Sequence, residues 1–160
     1  MKALRNILNM ILNVLAGGSF LVMTVLTCWQ VFTRYILGNP STWSEELVGY
    51  LFAWMSLFGA CLVTGERGHM NIPLLVDSAA PGLKKTLLCL GEVIAFLFSL
   101  VILVYGGMQI TSLAMGQMTS SLGVAVGVFY IAMPICGVVN MLYTIMNIAE
   151  ILSGKEQEAA

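Results

Sequence analysis

From Val93 to Ala149 the chain reads VIAFLFSLVILVYGGMQITSLAMGQMTSSLGVAVGVFYIAMPICGVVNMLYTIMNIA, without one Asp, Glu, Lys or Arg. A membrane helix crosses about 30 Å of hydrocarbon with about 20 apolar residues, so this stretch is too long for one span. It is broken by the polar, glycine-containing segment Met115-Gly-Gln-Met-Thr-Ser-Ser-Leu-Gly123. The stretch therefore predicts two helices, over about 85–114 and 124–148, joined by an exposed loop.

The same pattern continues upstream. No charge occurs from Asn6 to Thr33, nor from Leu47 to Gly65, which predicts two further spans over about 7–33 and 47–65. The expected fold is an all-α integral membrane protein of four transmembrane helices. It forms a single domain over 1–152, followed by a short polar tail over 153–160. Composition agrees: 59% of residues are hydrophobic and 9% charged, against about 25% charged in soluble domains. Seven Lys and Arg with eight Asp and Glu are too few to wet a globule, so lipid is the expected surrounding. A net charge of −1 gives no electrostatic reason for a nucleic-acid partner.

Lys2 and Arg5 precede an apolar run, as in a signal peptide. Signal cores are about 7–15 residues long, whereas this run continues through Phe20-Leu-Val-Met23 to Trp29. An uncleaved first helix is expected. Lys and Arg favour cytoplasmic loops. With the amino terminus inside, Lys2, Arg5, Arg67, Lys84, Lys85 and Lys155 lie on the cytoplasmic side and Arg34 alone outside. Both termini are then cytoplasmic. Between helices 2 and 3, Ile72, Leu74, Leu75 and Val76 are apolar while Asn71, Asp77 and Ser78 are polar, with Pro73 and Pro81-Gly82 as punctuation. This predicts a short amphipathic segment lying at the interface.

Ionisable groups inside a bilayer are costly and mark function or pairing. Glu92 is the one candidate, roughly 10 Å along the helix from Lys85. It reads as a structural or partner-facing acid, with a role in transport as the alternative. His69 has no neighbouring Ser, Cys or second His for nucleophilic or metal chemistry, and an enzyme is not expected. Cys28, Cys61, Cys89 and Cys136 fall one per span with no CxxC pair, and read as small apolar helix residues. Asn140 and Asn147 share a helix face and are suited to bonding another helix. Pro134 should bend the last helix.

The outer loop carries the most specific pattern. Arg34-Tyr35 ends the first helix, and Pro40, Trp43, Ser44, Glu45 and Glu46 lead into the second. Tyr35 and Trp43 suit the aromatic belt. Ser44 is expected to cap the second helix, with the glutamates in its first turn. Arg34 is placed to pair with Glu45 or Glu46, an exposed contact worth about 0.2–1 kcal/mol.

These residues, taken together, resemble the DctQ-like small membrane subunit of tripartite ATP-independent periplasmic (TRAP) transporters. The matching positions are Val31-Phe-Thr-Arg34-Tyr35, Pro40, Trp43-Ser-Glu45-Glu46-Leu47, Leu51-Phe52, Trp54, Gly59-Ala60 and Arg67-Gly68-His69, with a looser match at Leu122-Gly123, Tyr130 and Pro134. The sequence departs from the family where Ala125 and Val128 replace a common proline and tryptophan. It departs again where Pro73 stands and the acid comes only at Asp77.

The resemblance implies a division of labour. A large membrane subunit binds sodium and substrate and moves them in an elevator-like motion, and a periplasmic substrate-binding protein delivers the substrate. The small subunit, with no cofactor of its own, packs on the static scaffold of the large one in a bacterial inner membrane. The substrates implied are organic acids. Arg34, Tyr35, Trp43, Glu45, Glu46, Trp54, Arg67, His69 and Glu92 are the expected structural or partner-interface residues. Two rivals lack their signatures: a small multidrug exporter has an acid in its first helix, and a four-helix redox enzyme has paired loop cysteines. A generic membrane assembly factor remains compatible with the residues alone.

Overall fold

The structure is a computed structural model that describes residues 2–66 and 81–153. The expected amphipathic segment, Arg67, His69 and the tail beyond Ser153 lie outside the described residues. Four helices are each long and apolar enough to cross a membrane, and no strand occurs among the described residues. The first, α1, is Lys2–Tyr35 and α2 is Thr42–Gly65. The third, α3, runs Pro81–Phe98, continues through a π-helical segment Ser99–Gly106, and finishes over Gly107–Ala114. The fourth, α4, is Gly127–Leu152.

Local chemistry explains the ends. After α1 the chain turns at Gly38, whose φ of 65° is the left-handed conformation that glycine adopts without steric penalty. Pro40 follows and donates no backbone hydrogen bond. Ser41, rather than Ser44, is the residue before the first turn of α2, and no side chain caps that turn. Ser44 is buried instead, and its hydroxyl donates to the Ser41 carbonyl at 2.9 Å. In α4 the helix is interrupted at Ile131. Pro134 there lacks an N–H and crowds the preceding turn. The Phe129 carbonyl in that turn accepts the indole N–H of Trp54 at 2.7 Å.

Packing follows a simple order. α1 lies along α2, and α4 packs against both α2 and α3, making α4 the most buried helix and α1 the least. Leu12, Phe58, Cys61, Cys136, Tyr143 and Met146 form the core. The Cys61 thiol donates to the Cys136 carbonyl at 3.5 Å.

Backbones approach closely where glycine permits it. A Cβ on Gly137 would lie 2.8 Å from Leu103 Cβ and Val104 Cγ2, on the π segment of α3. One on Gly127 would lie 2.7 Å from the Met115 N and the Thr111 carbonyl oxygen. Gly127→Ala is therefore expected to cost about 1–3 kcal/mol through forced backbone movement. Gly59→Ala, at an open position in the middle of α2, should be neutral or slightly stabilising. Thermal melts of both variants in detergent check the contrast; equal melting temperatures would remove the close-approach argument.

The loop between α3 and α4 folds on itself. The Thr119 N–H donates to the Val124 carbonyl at 2.9 Å, and the Val126 N–H to the Gln117 carbonyl at 2.9 Å. The Thr119 hydroxyl accepts the Val124 N–H at 3.0 Å. Residues 124–126, expected to open the fourth helix, close this hairpin instead.

Candidate functional site

The charged and polar side chains gather at two ends of the helix assembly. At the first end, Arg34 and Glu45 face each other across the α1–α2 turn at 3.8 Å, both more than half exposed. Tyr35 and Trp43 stand exposed beside them. Glu46 takes no part in that pair. Its carboxylate accepts the backbone N–H of Ser120 at 3.1 Å and of Ser121 at 2.8 Å. An ionised acceptor on two amides is a stronger tie than an exposed ion pair. Glu46 thus fastens the α3–α4 hairpin onto the start of α2. Below it, Tyr50 stacks on Phe129 with ring centroids 3.9 Å apart. One turn deeper, Trp54 makes its bond to the α4 backbone and meets Phe58 edge-on.

At the other end, a polar clasp joins all four helices. Asn147 is fully buried and uses its whole amide. Its Nδ2 donates to Glu92 Oε1 at 2.9 Å and to the Thr64 carbonyl at 3.1 Å. Its Oδ1 accepts from Arg5 Nη2 at 2.6 Å. Thr64 lies in the last turn of α2, where carbonyls have no helical donor, so the Asn147 amide supplies one. Arg5 also pairs with Glu150 at 3.2 Å. One turn toward the middle, the Tyr143 hydroxyl donates to Asn9 Oδ1 at 2.5 Å. Tyr143 is fully buried against Gly65, where a Cβ would come 2.8 Å from its ring. Tyr143, Asn147 and Glu150 recur at helical spacing, so one face of α4 reaches α1, α2 and α3 together. Nearer the centre, the Asn140 amide donates to the Ser99 hydroxyl at 2.7 Å, at the start of the π segment.

Glu92 is therefore buried but hydrogen-bonded, which is the condition for a carboxyl group at that depth. It also borders a cleft of about 440 Å³ between α2, α3 and α4, lined by Leu57, Cys61, Phe98, Leu103 and Asn140 among others. The lining is mostly apolar.

Of the residues expected at a site, the structure brings Arg34, Glu45, Tyr35 and Trp43 together, with Glu46 close behind. Trp54 is an internal joint between α2 and α4, and Glu92 belongs to the opposite end. Arg5, Asn9, Tyr143 and Glu150 did not stand out as site residues in the sequence. Arg5 reads there as an orientation charge, and no local spacing links it to Asn147. The shared face of Asn140 and Asn147 was the one available signal.

Residues 23–154 match the family described as "Tripartite ATP-independent periplasmic transporters, DctQ component". The chain is 29% identical to the sialic acid TRAP transporter small permease protein SiaQ of Vibrio cholerae serotype O1, over 100% of this chain and 94% of that one. It is 24% identical to a putative TRAP transporter small permease protein of Haemophilus influenzae, over 82% of this chain and 79% of the other. A stretch covering 44% of this chain is 25% identical to 12% of the sialic acid TRAP transporter permease protein SiaT of Haemophilus influenzae.

Proposed function

Because the chain belongs to the DctQ component family of the tripartite ATP-independent periplasmic transporters, we propose that it works as the small membrane subunit of such a transporter, as a support for a large membrane subunit. The family match over residues 23–154 carries this reading. The geometry supports it: the polar groups are spent on tying helices together, at Asn147 and at Glu46. The partial likeness to SiaT supports it too, since a similar stretch of sequence occurs there within a much longer permease chain.

In this proposal the large subunit binds sodium and an organic acid and carries them through an elevator-like motion. A periplasmic binding protein delivers the acid. This chain binds neither ion nor substrate, sits in the bacterial inner membrane, and keeps both termini in the cytoplasm, in accord with its Lys and Arg placement. Arg34, Trp43, Glu45 and Glu46 brace the outward end and touch the binding protein.

Two experiments test the proposal. A tagged chain pulled from its native membrane in mild detergent is expected to bring one large polytopic protein at about equal stoichiometry. Recovery of the chain alone, as a homo-oligomer that transports in liposomes, overturns the reading. For the outward end, Arg34→Ala and Glu45→Gln are expected to lower uptake at unchanged subunit levels. Wild-type uptake from both variants would remove that role.

A further inference from the structure

The surface of α1 divides into three sectors, whose centres lie about 90–140° apart on the helical repeat. One sector faces α2 through Leu8, Leu12 and Ala16, which pack in or against the core. The second is wholly apolar and exposed: Ile7, Ile11, Val14, Val25 and Phe32. That sector is what lipid requires. The third is also exposed, yet it carries Asn6, Met10, Asn13, Gly17 and Thr24. These five positions lie within about 60° of one another on a helical projection.

Asn13 decides what this third sector meets. It lies about 12 Å along the helix from Arg5, inside the apolar stretch. Its amide makes no hydrogen bond to any described residue. Thr24 differs, because its hydroxyl donates back to the Phe20 carbonyl at 2.9 Å. A primary amide left among acyl chains loses its hydrogen bonds and gains nothing from the tails. Asn side chains in spanning helices bond across to another helix, and glycine beside them lets backbones approach. Gly17 lies one turn from Asn13, with nothing within 4 Å of its Cβ position.

We infer that this face of α1 seats a transmembrane helix of the large membrane subunit, which presents a hydrogen-bonding side chain opposite Asn13 and a bulky apolar one over Gly17. The inference rests on the proposed function and locates the contact that reading requires. The neighbouring apolar sector stays in lipid. The polar sector and the α2-facing sector together hold α1 between its own bundle and its partner.

A photoreactive benzoylphenylalanine placed at Met10 or Thr24, and at Ile11 or Val25 as controls, tests the seat in membranes holding the whole transporter. Adducts identified as the large subunit are expected from Met10 and Thr24 and not from the controls. In parallel, Asn13→Leu should fold and insert normally, since it makes the helix more apolar. It should lower recovery of the large subunit about threefold to tenfold, the effect of losing one cross-helix hydrogen bond. Gly17→Phe should lower recovery further, while Ile11→Phe on the lipid sector leaves it unchanged. If the wild-type chain recovers the large subunit but Met10 and Thr24 yield adducts only with lipid or with a second copy, this seat is wrong and the proposed function stands. If the wild-type chain recovers no large subunit, both fail.

Discussion

Asn147→Ala is expected to lower the stability of the purified chain by about 2–4 kcal/mol, the largest effect of any single side chain considered. The residue is fully buried, and its one amide serves Arg5, Glu92 and Thr64 at once. Truncation leaves a half-buried guanidinium, a buried carboxyl group and a helix-end carbonyl short of partners in a low-dielectric setting. The penalty for such stranded groups exceeds the net worth of the bonds themselves. Thermal unfolding in detergent reads the effect, and a melting temperature equal to wild type would show that the clasp is not a support. Glu92→Gln separates structure from transport, because it keeps an acceptor for the Asn147 amide while removing the ionisable group. It should cost less than Asn147→Ala and leave uptake intact. Lost uptake from a stable, fully assembled Glu92→Gln transporter would instead assign that carboxyl a part in transport.

Glu46→Ala is expected to release the α3–α4 hairpin, with a loss of about 1–3 kcal/mol for two charge-assisted hydrogen bonds at a partly exposed site. Hydrogen exchange at the Ser120 and Ser121 amides is the direct measurement, and protection there should fall while that of the α4 core is retained. Glu45→Ala gives the internal comparison. Its contact with Arg34 is long and exposed, so the loss should stay within about 0.2–1 kcal/mol. Similar exchange at Ser120 and Ser121 in the two variants would show that the hairpin holds by its own bonds, Thr119 to Val124 and Val126 to Gln117. Adjacent glutamates thus carry different duties, one facing solvent and one fastening a loop.

Much of the candidate site was legible at the α1–α2 turn because its parts are near in sequence. Arg34, Tyr35, Trp43 and Glu45 lie within one helix–turn–helix, and hairpin geometry brings such neighbours together whatever the rest of the chain does. Ser44 misled for a local reason. A serine three residues before an apolar run has the look of a cap, but the helix begins a turn earlier and buries its hydroxyl against Ser41. The clasp was only half visible. Asn140 and Asn147 share a face by periodicity, but whether that face meets lipid, a partner or its own bundle depends on helix order.

Charge spacing along the chain is enough to place four helices long and apolar enough to cross a membrane. Long stretches without charge admit no other solvent, and a backbone in lipid must satisfy its own hydrogen bonds as helix. The sequence also pointed to the family, through residues clustered over the first two helices. Which helices touch became visible only in the folded arrangement. In lipid, apolar side chains gain little by choosing a helix over an acyl tail, so hydropathy carries no record of neighbours. Here α4 is inserted against both α2 and α3 by features that act at a distance in the chain: a glycine that lets α4 cross the π segment, an indole reaching an interrupted helix, and one asparagine amide shared among three other helices. Each is a close-range contact between residues far apart in sequence, and such contacts exist only once the helices are in place.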